Sequence, residues 1–216
     1  MAVFPHLIRS VVETVFPSDC LSCGKRGEYC CRDCLSRPVP HTKTVEAGGI
    51  SVHAGYAYAD PLVRSFIHDF KYLGSDAARA CVEVLLHRWM LAAAHLIPEE
   101  SVLIPVPMHP AKLAARGFNQ AESLAHMLGA ALDLPVVPDA LFRVRGGVSQ
   151  TRTEDRGGNV RGAFRARPGL QDEAVLVDDV VTSGATMRAC AEALWASGAR
   201  CRRSMALARG SVEKKK

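Results

Sequence analysis

The chain has 216 residues, of which 48% are hydrophobic and 23% charged, a composition that excludes a wholly disordered protein. Its apolar runs are shorter than the ~18 residues of a membrane-spanning helix, and Arg9 and Glu13 interrupt the first of them, so we expect a cytoplasmic protein with neither a signal peptide nor a membrane anchor. The net charge of +5 is concentrated in residues 143–167, where seven arginines outnumber two acids, which predicts a polyanionic partner: a nucleic acid or a small phosphorylated molecule.

The chain divides into a small module, predicted over residues 1–40, and a larger domain, predicted over residues 50–212. Pro38 and Pro40 mark the linker between them. The module begins with apolar residues at helical spacing, which predict one amphipathic helix that packs the module onto its neighbour: Leu7, Ile8, Val11, Val12 and Val15.

Cysteines dominate the rest of the module, in the run CLSCGKRGEYCCRDC. Two C-x2-C pairs offer four thiolates to one tetrahedral Zn²⁺, and the predicted ligands are Cys20, Cys23, Cys31 and Cys34. Cys30 with Cys34 is an alternative second pair, although the x2 spacing favours Cys31. A disulfide framework would need an oxidising compartment, which nothing in the sequence indicates. The zinc is therefore expected to be structural, and the remaining cysteines are expected in the core: Cys81, Cys190 and Cys201.

Beyond residue 50, short apolar strands alternate with helical patterns. The predicted strands cover residues 53–59, 101–107, 141–145, 159–165, 174–177 and 200–208, and the predicted helices cover 61–72, 76–96, 119–132 and 184–197. This alternation predicts an α/β fold with a mainly parallel sheet flanked by helices.

The strongest chemical signal is VLVDDVVTSGATM, at residues 175–187. An apolar strand ends in Asp178 and Asp179, and a turn of small residues then leads into a helix: Thr182, Ser183, Gly184, Ala185 and Thr186. The backbone N–H groups and hydroxyls of such a turn suit a phosphate, and the two carboxylates suit neighbouring hydroxyls, so the pattern predicts a sugar phosphate. The alternative is that Asp179 only caps a helix.

Several motifs in order resemble one family. DDVVTSGAT (178–186) resembles the loop that binds 5-phosphoribosyl 1-pyrophosphate (PRPP) in type I phosphoribosyltransferases. Together with FPSDCLSCG, FKYLG (70–74), IPVPMHPAKLAARGFNQAESLA (104–125) and QTRTEDRGGNVRGAF (150–164), it resembles the competence protein ComF family, relatives of gluconate-utilisation protein X. Ser183 stands where that family usually has threonine, which keeps a hydroxyl in place.

The resemblance implies a type I phosphoribosyltransferase core whose catalytic cleft binds PRPP. Asp178 and Asp179 would bind the ribose hydroxyls, and residues 182–186 would bind the 5-phosphate. The turn at Val106 and Pro107, which continues into Met108 and His109, would lie where pyrophosphate binds. Mg²⁺ would be held chiefly by pyrophosphate and ribose oxygens.

Other residues have two readings each. Residues 146–158 would correspond to a loop that closes over PRPP, with Arg152 and Arg156 meeting the leaving pyrophosphate or only forming a solvated face. Lys71, with Tyr72, would face the ligand or close an amphipathic helix. Arg116, Asn119 and Gln120 would contact substrate or cap a helix, and His109 is more often structural than a base.

The implied function is transfer of the phosphoribosyl group of PRPP to an unknown acceptor, with release of pyrophosphate. The alternative is a non-catalytic PRPP-binding adaptor for single-stranded DNA uptake in natural transformation, which would contact the DNA-uptake machinery. A third reading is a structural partner of that machinery, with the phosphate turn as a relic. Base stacking would need exposed aromatics, whereas Phe142 and Phe164 are predicted to pack in the core.

Overall fold

The computed structural model describes residues 19–144, 162–170 and 172–211. The predicted helix of residues 7–15 and the arginine-rich residues 146–158, including Arg152 and Arg156, lie outside these ranges. Among the described helices, none combines the length and the apolar character needed to cross a bilayer.

Seven strands and six helices follow one another along the described chain. The strands are β1 (Lys43–Glu46), β2 (Ser51–Ala57), β3 (Ser101–Pro105), β4 (Leu141–Arg143), β5 (Phe164–Ala166), β6 (Glu173–Val181) and β7 (Arg200–Arg209). The helices are α1 (Arg32–Leu35), α2 (Pro61–Tyr72), α3 (Asp76–Ala93), α4 (Pro110–Arg116), α5 (Gln120–Leu132) and α6 (Ala185–Ala196), and a short 3₁₀ turn (Ala94–Leu96) extends α3.

Five strands form one sheet in the order β1-β2-β7-β6-β3, with β4 and β5 as a separate antiparallel ribbon. All neighbours in the large sheet are parallel except β1, which is antiparallel to β2. The predicted α/β fold with a mainly parallel sheet is therefore confirmed.

Helices cover both faces of this sheet, and β6 shows why. Its alternate residues point to opposite faces, so Val175 and Val177 pack with α2, α3 and α5, whereas Ala174 and Leu176 pack with α6. The expectation that three cysteines are core residues is also confirmed, since each is at most 6% exposed: Cys81, Cys190 and Cys201.

Three elements were not predicted: the four-residue α1, β1 and α4. No element was predicted over residues 110–116, which follow the predicted turn at residues 106–109. Pro110 occupies the first helical position of α4, where proline is tolerated because its missing N–H has no partner in a helix. His109 caps the helix, since its Nδ1 accepts a hydrogen bond from the N–H of Ala111 at 3.2 Å, and Gly117, at φ 83°, ends it. Consequently β3 also ends two residues earlier than predicted, at Pro105.

The two edges of the large sheet are both protected. The outer side of β3 is covered by the segment after α5, where Leu103 donates its N–H to the carbonyl of Pro135 and accepts from the N–H of Val137, each at 2.9 Å. At the opposite edge, β1 has only four residues, and both its ends carry charges, Lys43 and Glu46. Short, charged or covered edges are the usual ways in which sheets avoid pairing with other chains.

Candidate functional site

The acidic pair, Asp178 and Asp179, lies where β6 extends beyond the end of its neighbour β3. The last residue of β3, Pro105, pairs with Val177, and the final hydrogen bond joins the N–H of Val106 to the carbonyl of Val177 at 2.9 Å. Beyond this point β6 continues for four residues with only β7 beside it, and the first two of these are Asp178 and Asp179. The two acids therefore border a crevice at the carboxyl end of the sheet, where open α/β proteins bind ligands.

Charges in this crevice are arranged asymmetrically. Lys71 Nζ lies 2.7 Å from Asp179 Oδ2, and the two side chains are only 19% and 14% exposed. Asp178 Oδ1 accepts the N–H of Asp179 at 2.8 Å. Burial, and then the charge of Asp179, raise the pKa of Asp178 to about 8, against the smaller lowering effects of that hydrogen bond and of Lys71. One carboxyl of the pair is thus less acidic than usual and accepts a backbone hydrogen bond, while the other is ion-paired with Lys71.

The small-residue turn follows directly, between the end of β6 at Val181 and the start of α6 at Ala185. Ser183 Oγ accepts the N–H of Ala185 at 3.4 Å, and Thr182 and Ser183 are exposed. The helix is preceded by Gly184, which also rules out the alternative that Asp179 caps it. Exposed hydroxyls beside the N-terminus of a twelve-residue helix can bind an anion.

Gly184 makes this turn possible for two reasons. Its φ of 75° lies in the left-handed region that side chains disfavour. In addition, a Cβ on Gly184 would come within 2.7 Å of Ala47 Cβ, in the turn between β1 and β2. The β1–β2 hairpin therefore packs against the backbone of the predicted phosphate turn.

The turn after β3 is held from both ends. The carbonyl of Val106 accepts from Asn119 Nδ2 at 3.1 Å, and Asn119 Oδ1 caps α5 by accepting the N–H of Ala121 at 3.2 Å. Asn119 therefore caps a helix, as one of its two interpretations had it, and His109 has a structural role as a cap of α4. Pro107 and Met108, between them, are half-buried. Whether this turn binds pyrophosphate stays a prediction.

Arg116 is not a cap. Its Nη1 donates a hydrogen bond to the buried Gln120 Oε1, and its guanidinium lies over the ring of Tyr72 at 4.8 Å from the ring centroid. Tyr72 itself is 64% exposed, so it extends from the surface after Lys71. The contacts of Arg116 with Tyr72 and Gln120 thus link the end of α2 to α4 and α5.

Four thiols of the N-terminal module form a cluster that could hold a metal ion such as Zn²⁺. Their sulfur atoms all lie within 4.8 Å of one another, and they belong to Cys20, Cys23, Cys31 and Cys34. Cys31 Sγ lies 3.8 Å from Cys20 Sγ and 3.6 Å from Cys23 Sγ. Tetrahedral zinc with Zn–S bonds of about 2.3 Å requires sulfur separations of about 3.8 Å, so the donor set fits that ion. Cys30 is not in the cluster.

The thiols of this cluster differ in acidity. Backbone N–H groups, first that of Cys31 and then that of Cys23, lower the pKa of Cys20 to about 5. A hydrogen bond from Ser22 acts in the same sense on Cys34, but burial and the neighbouring thiols outweigh it and raise the pKa of Cys34 to about 11. Several thiols that compete for ionisation in one place are stabilised as thiolates by a bound cation.

The module is docked on α2 and α3 by specific contacts. Tyr29 packs against Phe66, with 6.0 Å between ring centroids, and its hydroxyl donates to Asp69 Oδ2 at 2.8 Å. Arg88, on α3, donates to the carbonyls of Leu35 and Ser36 at 2.9 and 3.0 Å. Asp69 precedes Lys71 by two residues, so the C-terminal end of α2 contacts both the N-terminal module, through Asp69, and the acidic pair, through Lys71.

The prediction for the aromatic residues near the basic segment was half right. Phe164 is buried, at 1% exposure, and packs under the guanidinium of Arg143. Phe142 is 45% exposed instead, because it lies on the outer face of the β4–β5 ribbon, directly across from the exposed Arg165. The sequence offered a signal for this, since alternation along a two-stranded ribbon places neighbouring residues on opposite faces.

No family model matches the chain. Among curated proteins, the DNA utilization protein YhgH of Salmonella typhi is 31% identical over 178 residues, covering 78% of this chain and 73% of that protein. Competence protein F of Haemophilus influenzae is 28% identical over 179 residues, 78% of this chain and 74% of that one. Competence protein ComFC of Streptococcus pneumoniae is 26% identical over 201 residues, with shares of 89% and 86%.

Among solved structures, adenine phosphoribosyltransferase from Leishmania tarentolae is 16% identical, with a TM-score of 0.40, and the match covers 79% of this chain and 95% of that one. The sequence identity to the curated relatives extends over most of both chains, which indicates common descent. The chain belongs to the competence protein F (ComF) family.

Proposed function

We propose that the chain binds PRPP with Mg²⁺ in the crevice beyond β3 and transfers its phosphoribosyl group to an acceptor. The observation that carries this proposal is the placement of Asp178, Asp179 and the small-residue turn on one strand end. Carboxylates suited to ribose hydroxyls are followed there, within a few residues, by the start of a helix suited to the 5-phosphate.

The reaction is a displacement at the anomeric carbon of PRPP. A bond forms between that carbon and a nitrogen or oxygen of the acceptor, the bond to pyrophosphate breaks, and both electrons of that bond leave with pyrophosphate. The acceptor's proton goes to solvent or to the leaving group. The chain contributes mainly orientation: Asp178 and Asp179 hold the ribose, and Lys71 fixes Asp179. Mg²⁺ would be held chiefly by pyrophosphate and ribose oxygens, and it would supply positive charge to the leaving group. The roles of Arg152 and Arg156 stay predictions from sequence.

We also propose that residues 1–40 are a module held together by structural Zn²⁺ and residues 50–212 are the domain that binds PRPP. The proposal is supported by the sulfur separations of 3.6 and 3.8 Å in the thiol cluster. The module has no part in the reaction, and it contacts the larger domain through Tyr29 and Arg88.

Calorimetric titration of PRPP with Mg²⁺ tests the binding site. We expect saturable binding that is abolished by combining Asp178→Asn with Asp179→Asn. The matched control combines Asp139→Asn with Asp172→Asn, two exposed acids, and should bind PRPP normally. Unchanged affinity in the first variant overturns the site, and no binding by the unaltered chain at millimolar PRPP overturns the function.

A second candidate function, contact with single-stranded DNA, is favoured by the exposed pair Phe142 and Arg165. An exposed aromatic ring with an arginine at the cross-strand position is a platform on which nucleic-acid bases can stack. The names of two curated relatives, DNA utilization protein and competence protein, point in the same direction.

Binding of a fluorescent oligothymidylate tests this second function. Phe142→Ala should weaken binding about five- to a hundred-fold, because stacking is worth about 1–3 kcal/mol per base, and affinity should fall steeply with salt. Tyr72→Ala removes another exposed aromatic and serves as the control. Equal affinity in the Phe142 variant and the unaltered chain excludes the platform.

A further inference from the structure

A cavity of about 440 Å³ lies between the end of α2 and the helix α4. Its size is within the usual range for small-molecule sites. Lys71 lines the cavity, and its Nζ contacts Asp179 Oδ2 at 2.7 Å. The side chain of Lys71 therefore lies between the cavity and the acidic pair.

The lining of this cavity is basic and aromatic. Lys112 and Arg116 lie one helical turn apart on α4 and give the cavity two cations, whereas the charge of Lys71 is already paired with Asp179. Among the described residues that line the cavity, none is acidic. Tyr72 and Phe118 supply the aromatic part of the lining.

Arg116 is fixed before any ligand arrives. Gln120 accepts a hydrogen bond from its Nη1, and Tyr72 supports the plane of its guanidinium from one side at 4.8 Å. A guanidinium held in one orientation loses little conformational entropy when it pairs with a carboxylate. Lys112 is exposed at the rim, where a second cation can meet the same anion.

On the basis of the proposed function, we infer that this cavity binds the acceptor, and that the acceptor is an aromatic or heteroaromatic acid. Its carboxylate lies between Lys112 and Arg116, and its ring lies among the aromatic side chains. The nucleophilic nitrogen or oxygen of the ring or its substituent then faces the ribose held by the acidic pair. The aromatic part of the lining, Tyr72 and Phe118, favours a planar organic acid over inorganic pyrophosphate.

Ligand-observed NMR with benzoate and benzamide tests this inference without PRPP or turnover. The full chain should bind benzoate, and benzamide, which has the same ring without the charge, should bind less tightly. Lys112→Glu should weaken benzoate binding by about three- to tenfold, because a partly exposed attraction becomes a repulsion. Lys43→Glu makes the same charge change at an exposed residue of β1 and should leave benzoate binding unaltered.

The outcomes separate this inference from the proposed function. Benzoate binding that is absent, or insensitive to Lys112→Glu, overturns the acceptor site even if PRPP binds normally. If Lys112→Glu weakens PRPP binding as strongly as benzoate binding, the cavity belongs to pyrophosphate and the inference is wrong. Benzoate binding that depends on Lys112, in a chain that does not bind PRPP, supports the anion pocket and overturns only the transferase function.

Discussion

Lys71 and Asp179 form an ion pair, 2.7 Å from Nζ to Oδ2, that joins the last turn of α2 to the end of β6. Both side chains are less than one-fifth exposed, so water and salt screen this pair less than a surface pair. The pair also determines where Asp179 points, toward α2, whereas Asp178 lies on the opposite side of the strand. Lys71 therefore positions one of the two predicted ribose-binding acids.

Lys71→Met should destabilise the chain by about 1–3 kcal/mol, because it leaves the mostly buried Asp179 without its counterion. Urea unfolding measures this loss. Combining Lys71→Met with Asp179→Asn should recover part of it, since the unpaired charge is then absent. Equal losses in the single and double variants would show that the pair contributes nothing beyond the packing of the lysine stem.

The pH dependence of stability should reveal Asp178. Its pKa is raised from 3.8 to about 8, so the folded chain binds this proton more tightly than the unfolded chain, and stability from this group falls as pH rises from about 4 to 8. Asp178→Asn has no such loss, because the amide is neutral throughout and can still accept the N–H of Asp179. Its Tm relative to the unaltered chain should increase between pH 5 and pH 8.

The control for this measurement is Asp172→Asn, at an exposed residue of the same segment. Its Tm difference from the unaltered chain should stay constant with pH. A constant difference for Asp178→Asn as well would mean that Asp178 ionises normally in the folded chain.

Gly184→Ala should destabilise the chain by about 2–4 kcal/mol, since it combines a left-handed φ with a contact of 2.7 Å to Ala47 Cβ. Gly169→Ala separates the two effects, because Gly169 has a φ of 95° but nothing within 4 Å of an added Cβ. In this control variant the free energy of unfolding, measured by heat or urea, should fall by only about 1 kcal/mol. Similar losses in both variants would remove the argument that the β1–β2 hairpin supports the turn.

The thiol cluster predicts one bound metal per chain, measurable by elemental analysis of the purified protein. Cys23→Ser should lower the metal content and the Tm together, because it removes one of four ligands. Cys30→Ser is the matched control, since this half-buried cysteine lies outside the cluster. Full metal content in the Cys23 variant contradicts the assignment of ligands.

Tyr29→Phe should weaken the docking of the cysteine module. Loss of the hydrogen bond to Asp69 Oδ2 should cost about 1 kcal/mol in urea unfolding without changing metal content. Tyr72→Phe removes a hydroxyl from an exposed tyrosine and should change stability little. An unaltered midpoint for the Tyr29 variant would assign the docking to Phe66 and Arg88 alone.

The main helices and strands could be predicted from the sequence because their signals are local. The helix at 61–72 begins and ends where predicted, since Asp60 caps it and Pro61 occupies its first position. The helix α4 was missed because prolines are also typical of turns, so Pro110, which follows the proline of the predicted turn, did not by itself indicate the start of a helix. The strand β1 was missed because its register depends on pairing with β2, which residue patterns in β1 alone do not contain.

The candidate site was predictable to the extent that one segment supplies it. The acids and the small-residue turn are consecutive in sequence, so their proximity needed no tertiary information. The sequence could not identify Lys71 as the partner of Asp179, because the two residues are more than a hundred positions apart. An amphipathic helix was also compatible with both interpretations of Lys71, as a ligand contact and as the closing residue of the helix. Lys112 was not singled out, since its relation to Arg116 depends on the unpredicted α4.

The protected edges of the large sheet restrict how this chain can meet other proteins. A partner strand cannot extend the sheet beside β3, where Leu103 already uses its N–H and carbonyl with the segment around Pro135. Beside β1 it would find only four residues with a charge at each end. Association through backbone pairing is therefore disfavoured at both edges of the large sheet, and partners that meet the described chain at these edges would contact its side chains. Substitutions on the surface, rather than changes in strand propensity, should then control which partners it has.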